Sequence, residues 1–146
     1  MRCHVKRLEL ARLRVCGRCG RGGAELRGTE GEKLVVTIDS VHVRQLRNEE
    51  TDVPALADVL LAQLHAPNAS LREVVLDVAH GRLRALVSVQ RGDEADVSEC
   101  PAGEGVVLAV RGELRLYATD EALAFGAARA ARAVRRGGDG GTETLH

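Results

Sequence analysis

CPAGEGVVLAVRGELRLYATDEALAFG, residues 100–126, is the stretch whose reading decides the fold. Pro101 suits the first turn of a helix, where its missing N–H has no partner to lose. Gly112 closes that helix, because glycine enters a left-handed cap without a Cβ clash. Glu113 to Ala118 then alternates as a strand, with Leu114 and Leu116 on one face and Arg115 and Tyr117 on the other. Thr119 caps a second helix, with Asp120 and Glu121 in the first turn, where the helix dipole favours negative charge. Leu123, Ala127, Ala130, Ala131 and Val134 form its expected inward stripe.

Upstream, Val74, Leu76 and Val78 alternate, His80-Gly81 turns, and Leu83, Ala85, Val87 and Val89 alternate back. Arg91 to Asp93 turns again into a strand around Ala95 to Glu99. Before the hairpin, Thr51 or Asp52 caps a helix whose apolar face is Leu56, Leu60 and Leu64, stopped by Pro67-Asn68. Three strands open the chain: His4–Val15, Ala24–Arg27 and Lys33–Ile38. A short helix capped by Asp39 or Ser40 follows to Leu46. In the first strand Val5, Ala11, Leu13 and Val15 share one parity and Leu8 and Leu10 the other, which predicts a strand covered on both faces or a bulge. The order is β-β-β-α-α-β-β-β-α-β-α. It predicts an α+β single domain over 1–136, a mixed, mostly antiparallel sheet with helices packed on it. GGDGGTETLH, 137–146, has the composition of a disordered tail.

With 146 residues and 45% hydrophobic content, the chain can bury a real core. One Phe, one Tyr and no Trp make that core aliphatic. No apolar run approaches the ~18 residues of a membrane span, and the charged, alternating MRCHVKRLEL does not read as a signal peptide. A cytoplasmic protein with no membrane partner is expected. The formal net charge is zero but unevenly spread. Residues 1–27 carry eight basic and two acidic groups, and residues 28–128 carry nine and seventeen. Bulk charge therefore argues against nucleic-acid binding, while a local basic patch stays open. Nineteen of the 21 basic residues are Arg, which suits bidentate phosphate contacts; a GC-rich coding sequence produces the same bias. Few aromatics, unpaired strand edges and an Ala-rich last helix predict a homo-oligomer.

Several blocks in this order resemble the bifunctional nuclease domain family. VVLDVAHGRLRALV at Val74–Val87 is similar to that family's hairpin, and CPAGEGVVLAVRG to its PSDA-type helix ending in Gly. ELRLYA and TDEALA resemble its closing strand and acid-headed helix. TDVPALADVLLAQL, RLELARLRV and LVVTID resemble its earlier elements, so the likeness spans roughly residues 5–126. It implies the family's α+β fold and hydrolysis of DNA and RNA phosphodiesters. The departures are specific. Ala102 and Gly103 stand where the family has Ser and Asp, His80 replaces its turn aspartate, and SVHVRQLRN lacks the acidic residue of its helix. The same resemblance therefore also implies a second reading: a catalytically degenerate member acting as an oligomeric binding or regulatory module.

Phosphodiester hydrolysis usually needs carboxylates to hold Mg²⁺ or Mn²⁺, which polarises the phosphoryl group and activates water. Asp77, Glu99 and Glu104 are the candidate catalytic residues, with Asp93, Glu94 and Asp96 nearby in sequence. The plain alternative is an exposed turn and a first-turn helix carboxylate. His80 has a pKa suited to a general base, or is simply an exposed turn residue. Arg129, Arg132 and Arg136 share a helix face that could bind nucleic-acid phosphates, or merely complement a helix C-terminus. Cys16-x-x-Cys19 is half of a zinc site, but Cys3-His4 lies about 40 Å away along an extended strand at ~3.3 Å per residue. No helix N-terminus follows to lower a thiol pKa. Zinc at Cys16/Cys19 is not expected; a reduced pair is.

Overall fold

The first strand, β1 (Val5–Cys16), holds the sheet together because it is long enough to pair with different partners along its length. The computed structural model describes residues 4–47, 69–135 and 142–145. After β1 come β2 (Gly22–Arg27), β3 (Lys33–Ile38) and α1 (Ser40–Leu46). Then follow β4 (Ala69–Ala79), β5 (Arg82–Arg91), β6 (Glu94–Pro101), α2 (Ala102–Arg111), β7 (Arg115–Thr119), α3 (Asp120–Arg135) and β8 (Thr142–Leu145). The helix expected over residues 51–66 lies outside the described residues. The architecture is the expected α+β domain, a seven-strand sheet in the order β3-β2-β1-β7-β4-β5-β6. All neighbours are antiparallel except β4 and β7. β8, inside the glycine-rich terminal segment whose composition suggests no element, pairs with Leu13–Cys16 of β1.

The two parities of β1 are resolved by a bulge. The β1–β2 register slips between Leu10 and Arg12, which leaves Ala11 exposed and unpaired. One extra residue moves the following side chains to the opposite face. Leu8 and Leu13, at opposite parities, are therefore both buried in the same core. Arg12 and Arg14, which share parity with Leu8, are carried to the other face.

Helices cover one face of the sheet. Val74, Leu76, Ala85, Val87, Leu116 and Ala118 point toward them from the central strands and are buried. Each Leu or Val removed from water this way contributes about 1.5–3 kcal/mol. Helix α2 sits closest, at Gly105: a Cβ there would lie 2.2 Å from the Ala85 Cβ and 3.2 Å from Val74 Cγ1. Arg111 ties its far end to α1 through a 2.9 Å bond to the Gln45 carbonyl.

The caps follow the sequence with two shifts. Asp39 accepts from the His42 N–H and caps α1. Thr119 Oγ1 accepts from the Ala122 N–H at 3.1 Å and caps α3. Pro101 is the residue before α2 rather than its first, since it still pairs with β5. At the other end the left-handed residue is Glu113 (φ 54°), not Gly112 (φ −87°). Leu114 N–H bonds the Ala109 carbonyl and Glu113 N–H the Val110 carbonyl, the pair of a Schellman motif. The motif needs its left-handed residue one place beyond the helix cap, and that place is Glu113.

Helix α3 also departs from its expected stripe. Ala122 is buried and Leu123 and Gly126 are partly covered, with Gly126 set against Leu34. Ala127, Ala130 and Ala131 are exposed. Apolar spacing marks which side of a helix could be buried, but only its first half has the sheet beneath it.

Candidate functional site

The other face of the sheet carries no described helix, and its polar groups form two clusters. In the first, Asp77 and Arg84 face each other across β4 and β5, and Glu99 follows on β6. Arg84 Nη2 lies 3.4 Å from Asp77 Oδ2, and its Nη1 donates to Glu99 Oε2 at 2.9 Å. Thr119 Oγ1 lies 3.2 Å from Asp77 Oδ1, at the carboxyl ends of the parallel strands β4 and β7.

Two of the three candidate carboxylates thus come together, with a guanidinium between them. Glu104 does not join them. It sits in the first turn of α2, on the helix-covered side of the sheet, close enough to Cys100 to influence that thiol. The three do not fit one divalent cation, because Arg84 already fills the position between Asp77 and Glu99 with fixed positive charge. Among the described residues no group of three His, Cys, Asp or Glu side chains is placed to hold a metal ion.

Cys100 is inert as a nucleophile: burial, and then the charges of Glu104 and Glu99, push its thiol up to about 11. His80 (φ 54°) and Gly81 (φ 73°) are the two central residues of a type I′ turn, and His80 is exposed. Asp93, Glu94 and Asp96 are exposed along the edge strand β6 and the turn before it. Charge there discourages a second chain from pairing with the free edge. On α3, Arg129 lies over the Phe125 ring, 5.8 Å from its centre. Arg132 is exposed, and Arg136 lies outside the described residues.

The second cluster is the one that sequence reasoning missed. Glu25 on β2 is fully buried, yet four cations surround it. Arg12 Nε bonds its Oε2, and Arg27 Nη2 its Oε1 at 3.0 Å. Lys33 Nζ stands 3.2 Å from Oε1 and Arg14 Nη2 3.6 Å from Oε2. Register explains the gathering: Arg12 faces Glu25 across β1–β2, and Arg27 faces Lys33 across β2–β3. Burial of the carboxylate works against its charge, but hydrogen bonds from Arg12, Arg27 and Lys33 outweigh it and bring Glu25 down to about 2. One negative charge among four positive ones leaves an excess of three on this face. The four cations remain 27–56% exposed, and the Arg14 Nε is covered without a partner. An open cleft of about 260 Å³ adjoins the cluster, lined by Arg7, Glu9, Leu10, Ala11, Arg27 and Thr29.

The sequence did hold a signal for this cluster. Glu25 is one of two acidic residues in a segment with eight basic ones, and it stands between the apolar Ala24 and Leu26. What it lacked was the bulge position, which alone decides that Arg12 and Arg14 share a face with Glu25. No protein-family model matches the chain, and a search of curated proteins returned no match. No described helix is long and apolar enough to cross a membrane.

Proposed function

We propose that this protein is a binding module for the phosphodiester backbone of nucleic acid, working in the cytoplasm, with the frame of the bifunctional nuclease family and without its chemistry. The observation that carries the reading is the Glu25 cluster: four cations held on an open sheet face with three charges in excess. A buried carboxylate fixes their positions, so little side-chain freedom is lost when phosphates arrive. Arginine's planar fork suits those phosphates.

Anisotropy of labelled single-stranded DNA and RNA across a salt series tests it. Three neutralised phosphates predict a slope of log K against log salt of about −2 to −3. Arg12→Glu with Arg14→Glu lowers affinity at least tenfold, and Arg129→Glu with Arg132→Glu changes it little. Salt-insensitive or absent binding refutes the proposal.

Cation-dependent hydrolysis through Asp77, Glu99 and Glu104, the activity the resemblance implies, is the competing reading. Its support is the place of Asp77 beside Thr119 at the carboxyl ends of β4 and β7. Assays with Mg²⁺, Mn²⁺ and EDTA separate the two. Cleavage abolished by Asp77→Ala or Glu104→Ala defeats the module reading. Self-association belongs to the proposal as well, supported by exposed Ala127, Ala128, Ala130 and Ala131 on α3; a monomer by light scattering at micromolar concentration removes it.

A further inference from the structure

A five-residue loop, Gly17 to Arg21, joins β1 to β2, with Cys16 just before it at the end of β1 and Cys19 at its middle. Cys16 N–H bonds the Arg21 carbonyl at 2.6 Å and Gly20 N–H bonds the Cys16 carbonyl at 3.0 Å. Gly20, at φ 73°, reverses the chain directly after Cys19. The loop therefore folds Cys19 back over Cys16. The backbone of Cys19 and of Arg18, and then the Cys19 side chain, favour the ionised form of the Cys16 thiol. Both thiols are free, Cys19 is exposed and Cys16 half-buried. Nothing lies within 4 Å of the position a Cβ would take on Gly17, so the loop is open to solvent next to Cys16.

We propose that Cys16 and Cys19 are a dithiol–disulfide exchange site whose substrate is a low-molecular-weight disulfide. Cys16 thiolate attacks one sulfur of that disulfide; its S–S bond breaks, one thiolate leaves and takes a proton from water. Cys19, giving its proton to solvent, then attacks the Cys16 sulfur and expels the second thiolate. The protein loses two electrons and two protons, and the small disulfide becomes two thiols. The Cys19 and Arg18 backbone groups stabilise the Cys16 thiolate and draw its pKa below the ordinary thiol value. They do here what a helix N-terminus does in other CxxC sites. Cys100, pushed up to about 11, supplies the contrast within the same chain. This inference does not depend on nucleic-acid binding.

The test uses the full-length protein with Cys3→Ser and Cys100→Ser, equilibrated in glutathione buffers, acid-quenched and measured by intact mass and maleimide labelling. Wild-type protein, measured in parallel, guards against a variant that fails to fold. Excess oxidised glutathione is expected to remove two hydrogens and both reactive thiols, with no adduct retained and full reversal by reduced glutathione. Adding Cys19→Ser is expected to trap one glutathionyl group on Cys16. The proposal is overturned if the pair stays reduced, if adducts persist with both cysteines present, or if bound zinc must be removed before oxidation occurs.

Discussion

Replacing Glu25 by Gln keeps its shape and removes the charge that four cations converge on. Its folded pKa of about 2 lies below an unfolded value of 4.5. A carboxyl lowered on folding stabilises above its unfolded pKa and loses that contribution as pH falls through the folded one. The window therefore opens at 4.5 and closes near 2. At about 1.4 kcal/mol per pKa unit, the charge is worth about 3 kcal/mol at neutral pH. Urea unfolding of both proteins at about pH 7 and about pH 2.5 isolates this contribution from that of the other acids. The variant is expected to be less stable by about 3 kcal/mol at the higher pH, and by under about 1 kcal/mol at the lower. Equal differences at both pH values would show that the cations do not stabilise the ionised form, and the account of the cluster would fail.

The same substitution should leave nucleic-acid affinity undiminished, since it raises the local excess from three charges to four; anisotropy at one salt concentration decides it. Glu113→Gly should raise stability by about 1 kcal/mol in urea unfolding, because Glu113 holds φ 54° at the Schellman position of α2. Gly105→Ala should lower stability by about 2 kcal/mol, read by thermal unfolding, as the new methyl would meet Ala85 at 2.2 Å. Thr119→Ala should lower stability by about 1 kcal/mol and Thr119→Ser by much less, since the hydroxyl caps α3 through the Ala122 N–H.

The fold was legible wherever local chemistry and tertiary packing agree. The hairpin at His80-Gly81, the Asp39 and Thr119 caps and the alternation of β3 follow from turn chemistry and period alone. Long-range pairing was not legible. Nothing local says that β7 inserts between β1 and β4, because Leu8 opposite Leu116 and Val74 opposite Leu116 depend on partners far apart in the chain. The site suffered for the same reason. Arg84 stands seven residues from Asp77 and fifteen from Glu99, and only sheet register puts it between them. Helical spacing displays the arginines of α3 directly in the sequence. The cations on β1–β3 are hidden from it, because a single unpaired Ala11 changes which side chains meet.

The seam between β1 and β7 bears on how the chain folds. Hairpins β1–β2–β3 and β4–β5–β6 join neighbours in sequence, so each closes with short loops. The seam pairs Val5–Leu8 with Leu116–Thr119 and closes across more than a hundred intervening residues. Loop-closure entropy makes such a contact late and high contact order makes it slow. During synthesis the first meander would wait with the Val5–Leu8 edge unpaired until Thr119 had left the ribosome. A variant that weakens the seam, such as Leu116→Ala, should then act mainly on unfolding if the seam forms after the transition state, and on refolding if it forms within it.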